Sequence, residues 1–279
     1  MLLSGQGRCI LPKIMRTTQK QLSLDYGKAE AQILKFIQKV VRDGHAKGAV
    51  VGLSGGVDSA VVGALCVRAL GKDNVVGILM PASHTPAKDT EDGRKLAKSW
   101  GIKVYEVGID HIFDAFMSSM PKFDGENKIA KANVKARIRM VINYYIANSH
   151  GLLVAGTGDK SEDLIGFFTK FGDGGVDFLP IAHLYKTQVR ELGAYLGLPQ
   201  SIVTKPSSPQ LWPGHKAVDE IPIEYERLDP VLVALFDEGL PPKEVAKKTG
   251  VTMKVIQDVI KRFDASAHKR SYPPMIGTW

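Results

Sequence analysis

Apolar residues recur along the chain in two alternating patterns, and the order of these patterns predicts the fold. Residues 20–43 carry apolar side chains at helical spacing on one stripe, formed by Ile33, Phe36, Ile37, Val40 and Val41. This spacing predicts an amphipathic helix. The run GAVVGLS at residues 48–54 is short and almost entirely apolar, which is typical of a strand buried within a parallel sheet.

The same alternation continues along the chain. Helices are predicted at residues 59–70, 89–100 and 128–149, and strands at residues 75–81, 103–109 and 152–158. Strands that alternate with helices predict an α/β fold, a doubly wound parallel sheet flanked by helices on both faces. Such sheets bind ligands beyond the carboxyl ends of their strands. At two of these ends the chain carries polar, glycine-bearing segments, SGGVDS and GTGDKSED.

The character of the sequence changes after residue 205. Prolines punctuate the next stretch, which resembles loop and lid rather than sheet: Pro206, Pro209, Pro213, Pro222 and Pro230. Two short helices are predicted behind it, at residues 241–249 and 252–262. We therefore expect a flexible tail at residues 1–19 and a single domain at residues 20–273. Within that domain, residues from about 223 to 273 form a C-terminal helical part.

Composition restricts the classes of function. The 279 residues are 44% hydrophobic and 24% charged, which suits a globular protein. No apolar run approaches the ~20 residues that a membrane-spanning helix needs, and the charged N-terminus lacks the apolar core of a secretory signal. Two cysteines in different contexts, Cys9 and Cys66, suit a reducing compartment, so we expect a cytoplasmic protein without a membrane partner.

The balance of charge points to anionic partners. The net charge is +8 and the pI is about 9.3, which favours nucleic acid, phosphate-rich small molecules or a membrane surface. Composition alone puts nucleic acid slightly ahead, and the motifs reverse that order.

Residues 54–59, here called the phosphate loop, read Ser54-Gly55-Gly56-Val57-Asp58-Ser59 between a buried strand and an apolar helix. Glycines at such a turn let backbone N–H groups approach an anion closely, and the following helix adds its positive end. Asp58 would repel phosphate unless a cation lay between them, so we interpret it as a magnesium ligand. The alternative is a tight strand-to-helix turn in which Asp58 or Ser59 is the N-cap.

Residues 166–175, the signature segment, read GFFTKFGDGG. Three aromatic rings, one lysine and one acid among four glycines make a poor core but a suitable pocket for an aromatic ring attached to phosphates. The alternative is an irregular glycine-rich connection. Just before this segment, polar residues cluster after the predicted fourth strand: Thr157, Asp159, Ser161 and Glu162.

Four motifs carry a resemblance to a known family. SGGVDS closely resembles the pyrophosphate-binding loop of the N-type ATP pyrophosphatases, and GFFTKFGDGG resembles the signature stretch of the NAD synthetases among them. NVKAR at residues 133–137 and HKR at residues 268–270 are similar to segments of the same family. The resemblance covers roughly residues 28–273 and implies an adenine nucleotide alpha hydrolase-like fold.

The resemblance also implies a role for each matching residue. The implied ATP site comprises the phosphate loop, the two residues before it and three others: Gly52, Leu53, Ser54, Gly55, Gly56, Val57, Asp58, Ser59, Thr157, Lys186 and Ser208. Asp58 and Glu162 would hold Mg²⁺. The implied deamido-NAD site comprises Arg137, Phe167, Lys170, Asp177, His268 and Lys269. Asp173 lies near the reacting carboxylate in the same picture, and it is our candidate for placing or deprotonating ammonium.

Several of these residues also have ordinary alternatives, and the HKR segment with His268 and Lys269 could be a solvated tail. Lys186 could be an exposed lysine at a helix start, and Arg137 could belong to a solvated helix face. The helix that carries Arg137 also has an apolar stripe at helical spacing: Val134, Ile138, Val141, Ile142 and Tyr145. This stripe suits either core packing or a dimer seam, and the resemblance implies a homodimer.

The function that the resemblance implies is a ligase that amidates deamido-NAD to NAD with ATP and ammonia, through an acyl-adenylate. Only 53 residues precede the phosphate loop, too few for the glutaminase domain of glutamine-using relatives, so ammonia is the expected nitrogen source. One alternative is a tRNA-modifying ATP pyrophosphatase, although its thiolating members need a reactive cysteine pair. Another is a DNA-binding helix–turn–helix, with Thr252, Lys254 and Gln257 in the major groove; we expect no nucleic-acid partner.

Overall fold

The computed structural model describes residues 22–122, 127–208 and 220–277. The tail predicted at residues 1–19, with Cys9, therefore lies outside the described residues. The first helix, predicted at residues 20–43, begins at Tyr26, because Asp25 accepts a hydrogen bond from the backbone N–H of Lys28 and caps it.

A four-stranded parallel sheet forms the centre of the molecule, in the order β3-β2-β1-β4. The strands are β1 (Ala49–Gly52), β2 (Val75–Leu79), β3 (Lys103–Glu106) and β4 (Leu153–Ala155). In register, Ala49 of β1 lies opposite both Val75 and Leu153. The chain runs from β1 to one side and returns to the other side with β4, so the crevice beyond β1 and β4 is the topological switch point where such folds bind ligands.

Helices cover both faces of this sheet. The α-helices with at least four described residues are α1 (Tyr26–Asp43), α2 (Val57–Leu70), α3 (Ala87–Trp100), α4 (Asp110–Ser118), α5 (Lys128–His150), α6 (Lys160–Ile165), α7 (Lys186–Tyr195), α8 (Gln200–Val203), α9 (Tyr225–Leu232), α10 (Pro242–Thr249) and α11 (Met253–Ala265). Ile33 and Leu192 are buried on one face of the sheet, and Ile146 packs with Val50 on the other face. Each such side chain contributes roughly 1.5–3 kcal/mol. The predicted doubly wound sheet is confirmed.

The structure corrects several predicted boundaries. All four strands end earlier than their apolar runs, because the residues after them turn into the loops at the carboxyl edge. The segment GTGDKSED is only partly loop, since α6 starts at Lys160. Helix α4, which follows β3, was not predicted.

Helix α9 lies in the stretch that its prolines marked as loop. Pro230 is inside this helix, and a π-helical turn at Val233–Asp237 follows it. Proline costs a helix one hydrogen bond, but Leu228, Val231 and Leu232 are fully buried. The burial of this face outweighs that cost.

The two closing helices were predicted correctly and are joined at Gly250. Val245, Ile256 and Val259 are buried in one core with Ile165 of α6. Thr252, Lys254 and Gln257 face solvent. The C-terminal helical part therefore shares its core with α6, next to the phosphate loop.

Two further observations concern composition. Cys66 is fully buried in α2, and burial raises the pKa of its thiol to about 12. In the part of the chain that the structure describes, no helix combines the length and apolar character needed to cross a membrane.

Candidate functional site

A cavity of about 690 Å³ opens at the carboxyl ends of β1, β2 and β4. Its volume suits a small organic ligand. Twelve of the predicted site residues line it: Gly52, Leu53, Ser54, Gly56, Val57, Asp58, Thr157, Glu162, Phe167, Asp173, Ser208 and Lys269. The other predicted residues, which do not line it, are Gly55, Ser59, Arg137, Lys170, Asp177, Lys186 and His268.

The phosphate loop is held by its own serines. Ser54 N–H donates to Ser59 Oγ at 3.2 Å, Ser59 Oγ donates to the Gly56 carbonyl at 3.0 Å, and Gly56 N–H donates to Ser54 Oγ at 3.2 Å. Helix α2 begins at Val57, and no side chain caps it. The alternative with Asp58 or Ser59 as the N-cap is therefore wrong, and the positive end of α2 faces the cavity.

Gly55 is required at its position in the phosphate loop for two reasons. Its φ is +77°, a conformation that other residues adopt rarely. A Cβ there would also lie 2.2 Å from the carbonyl oxygen of Asp89 in α3. The glycine thus lets α3 pack directly against the loop.

Four charged side chains form a cluster at the cavity wall, here called the carboxylate–lysine cluster: Asp58 and Glu162, which line the cavity, and Asp159 and Lys186 behind them. The Nζ atom of Lys186 lies 2.8 Å from Asp58 Oδ2, 2.8 Å from Asp159 Oδ2 and 2.8 Å from Glu162 Oε1. Lys186 is fully buried, so the alternative of an ordinary exposed lysine is wrong. The two carboxylates predicted to hold magnesium are joined by one ammonium group.

Burial and the neighbouring charges shift the pKa values of Asp159, Glu162 and Lys186 in this cluster. Desolvation alone would lower the pKa of Lys186, but the carboxylates of Asp159, Asp58 and Glu162 raise it well above its ordinary value. Burial raises the pKa of Asp159 and of Glu162, and Lys186 opposes both rises. A buried carboxylate group of this kind is stable only while its cation stays in place.

Asp159 was noticed in the sequence only as one of several polar residues. It is fully buried, and its Oδ1 accepts a hydrogen bond from Glu162 N–H at 2.9 Å. Glu162 Oε2 in turn faces the backbone N–H of Asp159 at 3.4 Å, so the two residues form a capping box at the start of α6. Asp159 therefore fixes both the helix that carries Glu162 and the ammonium of Lys186.

The donors at this edge fit a magnesium ion. Asp58 Oδ1 is buried and has no hydrogen-bond partner among the described residues. Carboxylate oxygens are the ligands that Mg²⁺ prefers, and it often takes only one or two of them with substrate phosphates. Within the described ranges, no group of three or more His, Cys, Asp or Glu side chains is arranged to hold a metal by itself.

The signature segment is hydrogen-bonded to His268 and Lys269. Lys269 Nζ donates to the carbonyl oxygens of Gly166 at 2.7 Å and Phe168 at 2.8 Å. Lys170 Nζ donates to the carbonyl of His268 at 2.5 Å, and Arg137 Nη2 donates to the carbonyl of Lys170 at 3.2 Å. Arg137, Lys170 and His268 thus form one connected group beside the cavity.

Asp173 and Asp177 lie in different environments. Asp173 is open to the cavity, but the walls around it desolvate its carboxyl group and raise its pKa, which the 2.9 Å hydrogen bond from Thr169 N–H opposes. Asp177 accepts from Val154 N–H at 2.7 Å and from Tyr144 OH at 3.1 Å. Asp177 therefore holds the edge of β4.

Three cations that line the cavity were not among the predicted site residues: Lys88, Arg139 and Lys205. Arg139 donates from Nε to the Met80 carbonyl at 3.2 Å, and desolvation lowers the pKa of its guanidinium. Lys205 contacts the phosphate loop. Helical spacing could have placed Arg139 on a different face of its helix from the exposed Arg137. No local pattern in the sequence indicates that Lys205 lines the cavity.

A glycine turn, a helix N-terminus and acidic side chains at the switch point of a parallel sheet are typical of nucleotide-binding α/β enzymes. Comparison with known proteins narrows this class. A family model described as NAD synthase matches residues 30–273, and the chain belongs to this family.

The individual relatives agree with this assignment. The NH(3)-dependent NAD(+) synthetase of Staphylothermus marinus is 48% identical over 260 residues, which are 93% of this chain and 94% of that protein. The solved NMN synthetase of Francisella tularensis superposes with a TM-score of 0.81 at 30% identity, over 92% of this chain and 100% of the other. The NH3-dependent NAD synthetase of Campylobacter jejuni superposes with a TM-score of 0.77 at 30% identity, over 91% and 100%. The predicted family and fold are confirmed.

Proposed function

We propose that this chain, an ammonia-dependent NAD⁺ synthetase by its family and relatives, amidates deamido-NAD after activating its carboxylate with ATP. One observation carries the proposal. The buried ammonium of Lys186 joins Asp58 of the phosphate loop to Glu162, so that two carboxylates are held at the wall of a cavity that the phosphate loop also lines.

The chemistry follows from the weakness of a carboxylate as an electrophile. The carboxylate oxygen of deamido-NAD attacks the α-phosphorus of ATP, the bond to the β-phosphate oxygen breaks, and pyrophosphate leaves. Ammonia then attacks the carbonyl carbon of the acyl-adenylate, and AMP leaves with the electron pair of the acyl–oxygen bond. The uncapped N–H groups of α2 would stabilise the charge that develops on the phosphates.

Asp58 and Glu162 would hold Mg²⁺, for which the buried and unpartnered Asp58 Oδ1 is the supporting observation. Bound magnesium would neutralise negative charge on the transferred phosphates. Lys186 lies behind these carboxylates and fixes their orientation.

Phe167, Asp173 and Lys269 line the part of the cavity that the signature segment forms, and we assign the nicotinate end of deamido-NAD to it. Asp173 would place or deprotonate ammonium, since its carboxyl group is open to the cavity. Arg137, Lys170, Asp177 and His268 would contact the remainder of the dinucleotide. We also propose a homodimer, because Val141 and Tyr145 of α5 are 58% and 73% exposed.

The decisive experiment uses deamido-NAD whose carboxylate carries ¹⁸O, incubated with ATP, Mg²⁺ and ammonium. Attack by the carboxylate predicts AMP that contains one ¹⁸O atom, together with NAD and pyrophosphate in equal amounts. Formation of ADP and phosphate, or unlabelled AMP, would overturn the mechanism. Glutamine in place of ammonium checks the nitrogen source.

The metal carboxylates are tested with a matched pair of variants on α6. Glu162→Gln should lower kcat by about 100-fold or more, as the loss of a charge-stabilising group does in other enzymes. Asp163→Asn removes a charge at the next position, whose side chain does not line the cavity, and it should keep most of the activity. Equal effects of the two substitutions would contradict a role for Glu162 in charge stabilisation.

One comparison favours a second substrate in the same assay. The neighbour with a TM-score of 0.81 is an NMN synthetase, so nicotinate mononucleotide is the competing carboxylate to include. A larger kcat/KM for the mononucleotide than for deamido-NAD would reassign the substrate without changing the reaction.

A further inference from the structure

Helix α9 of the C-terminal helical part brings two side chains to Lys186. Tyr225 and Asp229 are one turn apart and therefore face the same way. The Nζ atom of Lys186 lies 5.3 Å from the centre of the Tyr225 ring. Asp229 is fully buried in the same region. Neither residue belongs to a motif that suggested chemistry.

Asp229 accepts hydrogen bonds from two different helices. Its Oδ1 accepts from Ser161 Oγ of α6 at 2.6 Å. Its Oδ2 accepts from the backbone N–H and the hydroxyl of Thr187 in α7, both at 2.8 Å. In its ionised form this carboxylate accepts from all three donors, whereas an amide in its place would set its NH₂ group against one of them.

These hydrogen bonds reach the backbone of Lys186. Because Ser161 Oγ gives its proton to Asp229, it can accept a hydrogen bond from Lys186 N–H, 2.9 Å away. The first N–H groups of a helix have no partner within the helix, and Lys186 and Thr187 are the first residues of α7. Asp229 and Ser161 therefore fix the turn from which the Lys186 side chain extends.

We propose that Asp229 is a positioning residue that, through Ser161 and Thr187, holds Lys186 where it can orient Asp58 and Glu162. The C-terminal helical part then acts as the support of the carboxylate–lysine cluster. A small shift of the Lys186 backbone would move an ammonium that three carboxylates surround at 2.8 Å. This inference rests on the proposed function, in which that cluster acts on ATP.

The structure offers a matched control. Asp237 ties the same helical part to residues adjacent to Ser161 and Lys186, because it accepts from Lys160 Nζ at 2.6 Å and Tyr185 OH at 2.8 Å. Its hydrogen bonds do not reach Lys186. Asp237→Asn therefore removes a tie of similar kind and leaves the first turn of α7 in place.

The experiment measures kcat and the KM values for ATP and deamido-NAD in AMP formation at about pH 8, where Asp229 is ionised. Thermal unfolding gives the folded fraction of each variant. Per folded enzyme, Asp229→Asn should lower kcat by about tenfold or more, the effect of roughly 1.4 kcal/mol. The KM for deamido-NAD should stay within about twofold of the unmodified chain. Asp237→Asn should keep kcat within about twofold, whatever it does to stability.

An unchanged kcat for folded Asp229→Asn would overturn the proposal, because a purely structural role lowers only the folded fraction. If that variant does not fold, Ser161→Ala decides, since it removes only the hydroxyl that accepts from Lys186 N–H. A loss of kcat in folded Ser161→Ala supports the proposal, and an unchanged kcat contradicts it. Absence of AMP and NAD with the unmodified chain would instead overturn the proposed function itself.

Discussion

The ammonium group of Lys205 donates a hydrogen bond to the carbonyl oxygen of Gly55, 2.7 Å away, across 150 positions of sequence. The same ammonium contacts Asp89 at 2.8 Å and Asp92 at 2.7 Å in α3. Lys205 thus joins the phosphate loop to the helix that packs against it. Its position just before Pro206 also places it at the start of the proline-rich stretch.

The first prediction concerns this contact. Lys205→Met should raise the KM for ATP by about tenfold, the effect of one charged hydrogen bond, because the Gly55 turn loses its support. The control is Lys248→Met, which removes a lysine paired with Glu238 in the C-terminal helical part. Initial rates of AMP formation over a range of ATP concentrations give both constants. An equal rise of KM in the two variants would show that Lys205 acts only through general stability.

The second prediction concerns the close approach between Gly166 and Ser266. Gly166 ends α6 with φ +66°, and a Cβ there would lie 2.2 Å from the Cβ of Ser266. Gly250 has a similar φ of +69°, but no atom lies within 4 Å of its added Cβ. Gly250→Ala should therefore cost only the backbone strain, about 1–2 kcal/mol, whereas Gly166→Ala should cost clearly more.

Urea unfolding gives the free energy of unfolding for each variant. Replacing Ser266 as well, in Gly166→Ala with Ser266→Gly, should recover part of the extra loss, because the clash disappears. The recovery is incomplete, since Arg270 Nη1 loses its 2.7 Å hydrogen bond to Ser266 Oγ. Equal losses for Gly166→Ala and Gly250→Ala would contradict the steric account.

Local patterns predicted the sheet and the glycine turn that follows β1 well. A buried run such as residues 48–54 and a glycine turn after it depend on neighbouring residues, so a short window of sequence contains the signal. Strand ends were overestimated, because apolar residues such as Leu53, Met80 and Val107 continue past the last strand residue into the loops at the carboxyl edge. Helix α6 was missed because its six residues are too few to show a period.

The partners of individual site residues could not be read from local sequence. Lys186 contacts acids from the phosphate loop and from α6, and only the folded chain brings these segments together. Asp229 lies next to Pro230, which marked its surroundings as loop. The burial of Asp229 and the contacts of Lys205 arise from tertiary packing, and the prolines next to them predicted a loop at both positions.

The third prediction is a dependence of stability on pH. Burial raises the pKa of Asp229 to about 7 from an ordinary 3.8, and Asp159 adds to the rise, while hydrogen bonds from Ser161 and Thr187 oppose it. Between about pH 4 and pH 7 the folded chain keeps a proton that the unfolded chain releases, and the hydroxyl of Ser161 or Thr187 can rotate to accept a hydrogen bond from it. The free energy of unfolding therefore falls as pH rises through this window, by on the order of 4 kcal/mol from this group.

Asp229→Asn removes that titration, so its stability should fall less steeply over the same window. Part of the slope should remain, because the pKa values of Asp159 and Glu162 are also raised and both carboxyl groups stay in the variant. Urea unfolding at several pH values measures both slopes. Identical slopes for the variant and the unmodified chain would mean that Asp229 is ionised throughout the range.

The last prediction concerns the apolar stripe of α5, which contains both buried and exposed residues in the structure. Ile138 is buried, with 8% of its surface exposed, while Val141 is 58% and Tyr145 is 73% exposed. Core packing accounts for one edge of the stripe and leaves the other edge uncovered, as a dimer seam requires. Tyr145→Asp should weaken the proposed homodimer by at least about tenfold, since it places a charge at the seam.

Sedimentation equilibrium over a range of protein concentrations gives the dissociation constant. Tyr195→Asp is the matched control, because Tyr195 is a half-exposed tyrosine on α7 that stacks only partly on Tyr26. A dimer that survives Tyr145→Asp, or that Tyr195→Asp disrupts equally, would place the seam elsewhere. If Tyr145→Asp also raised the KM for deamido-NAD while kcat stayed unchanged, the seam would contribute to the substrate site, because Arg137 lies on the same helix and contacts the signature segment.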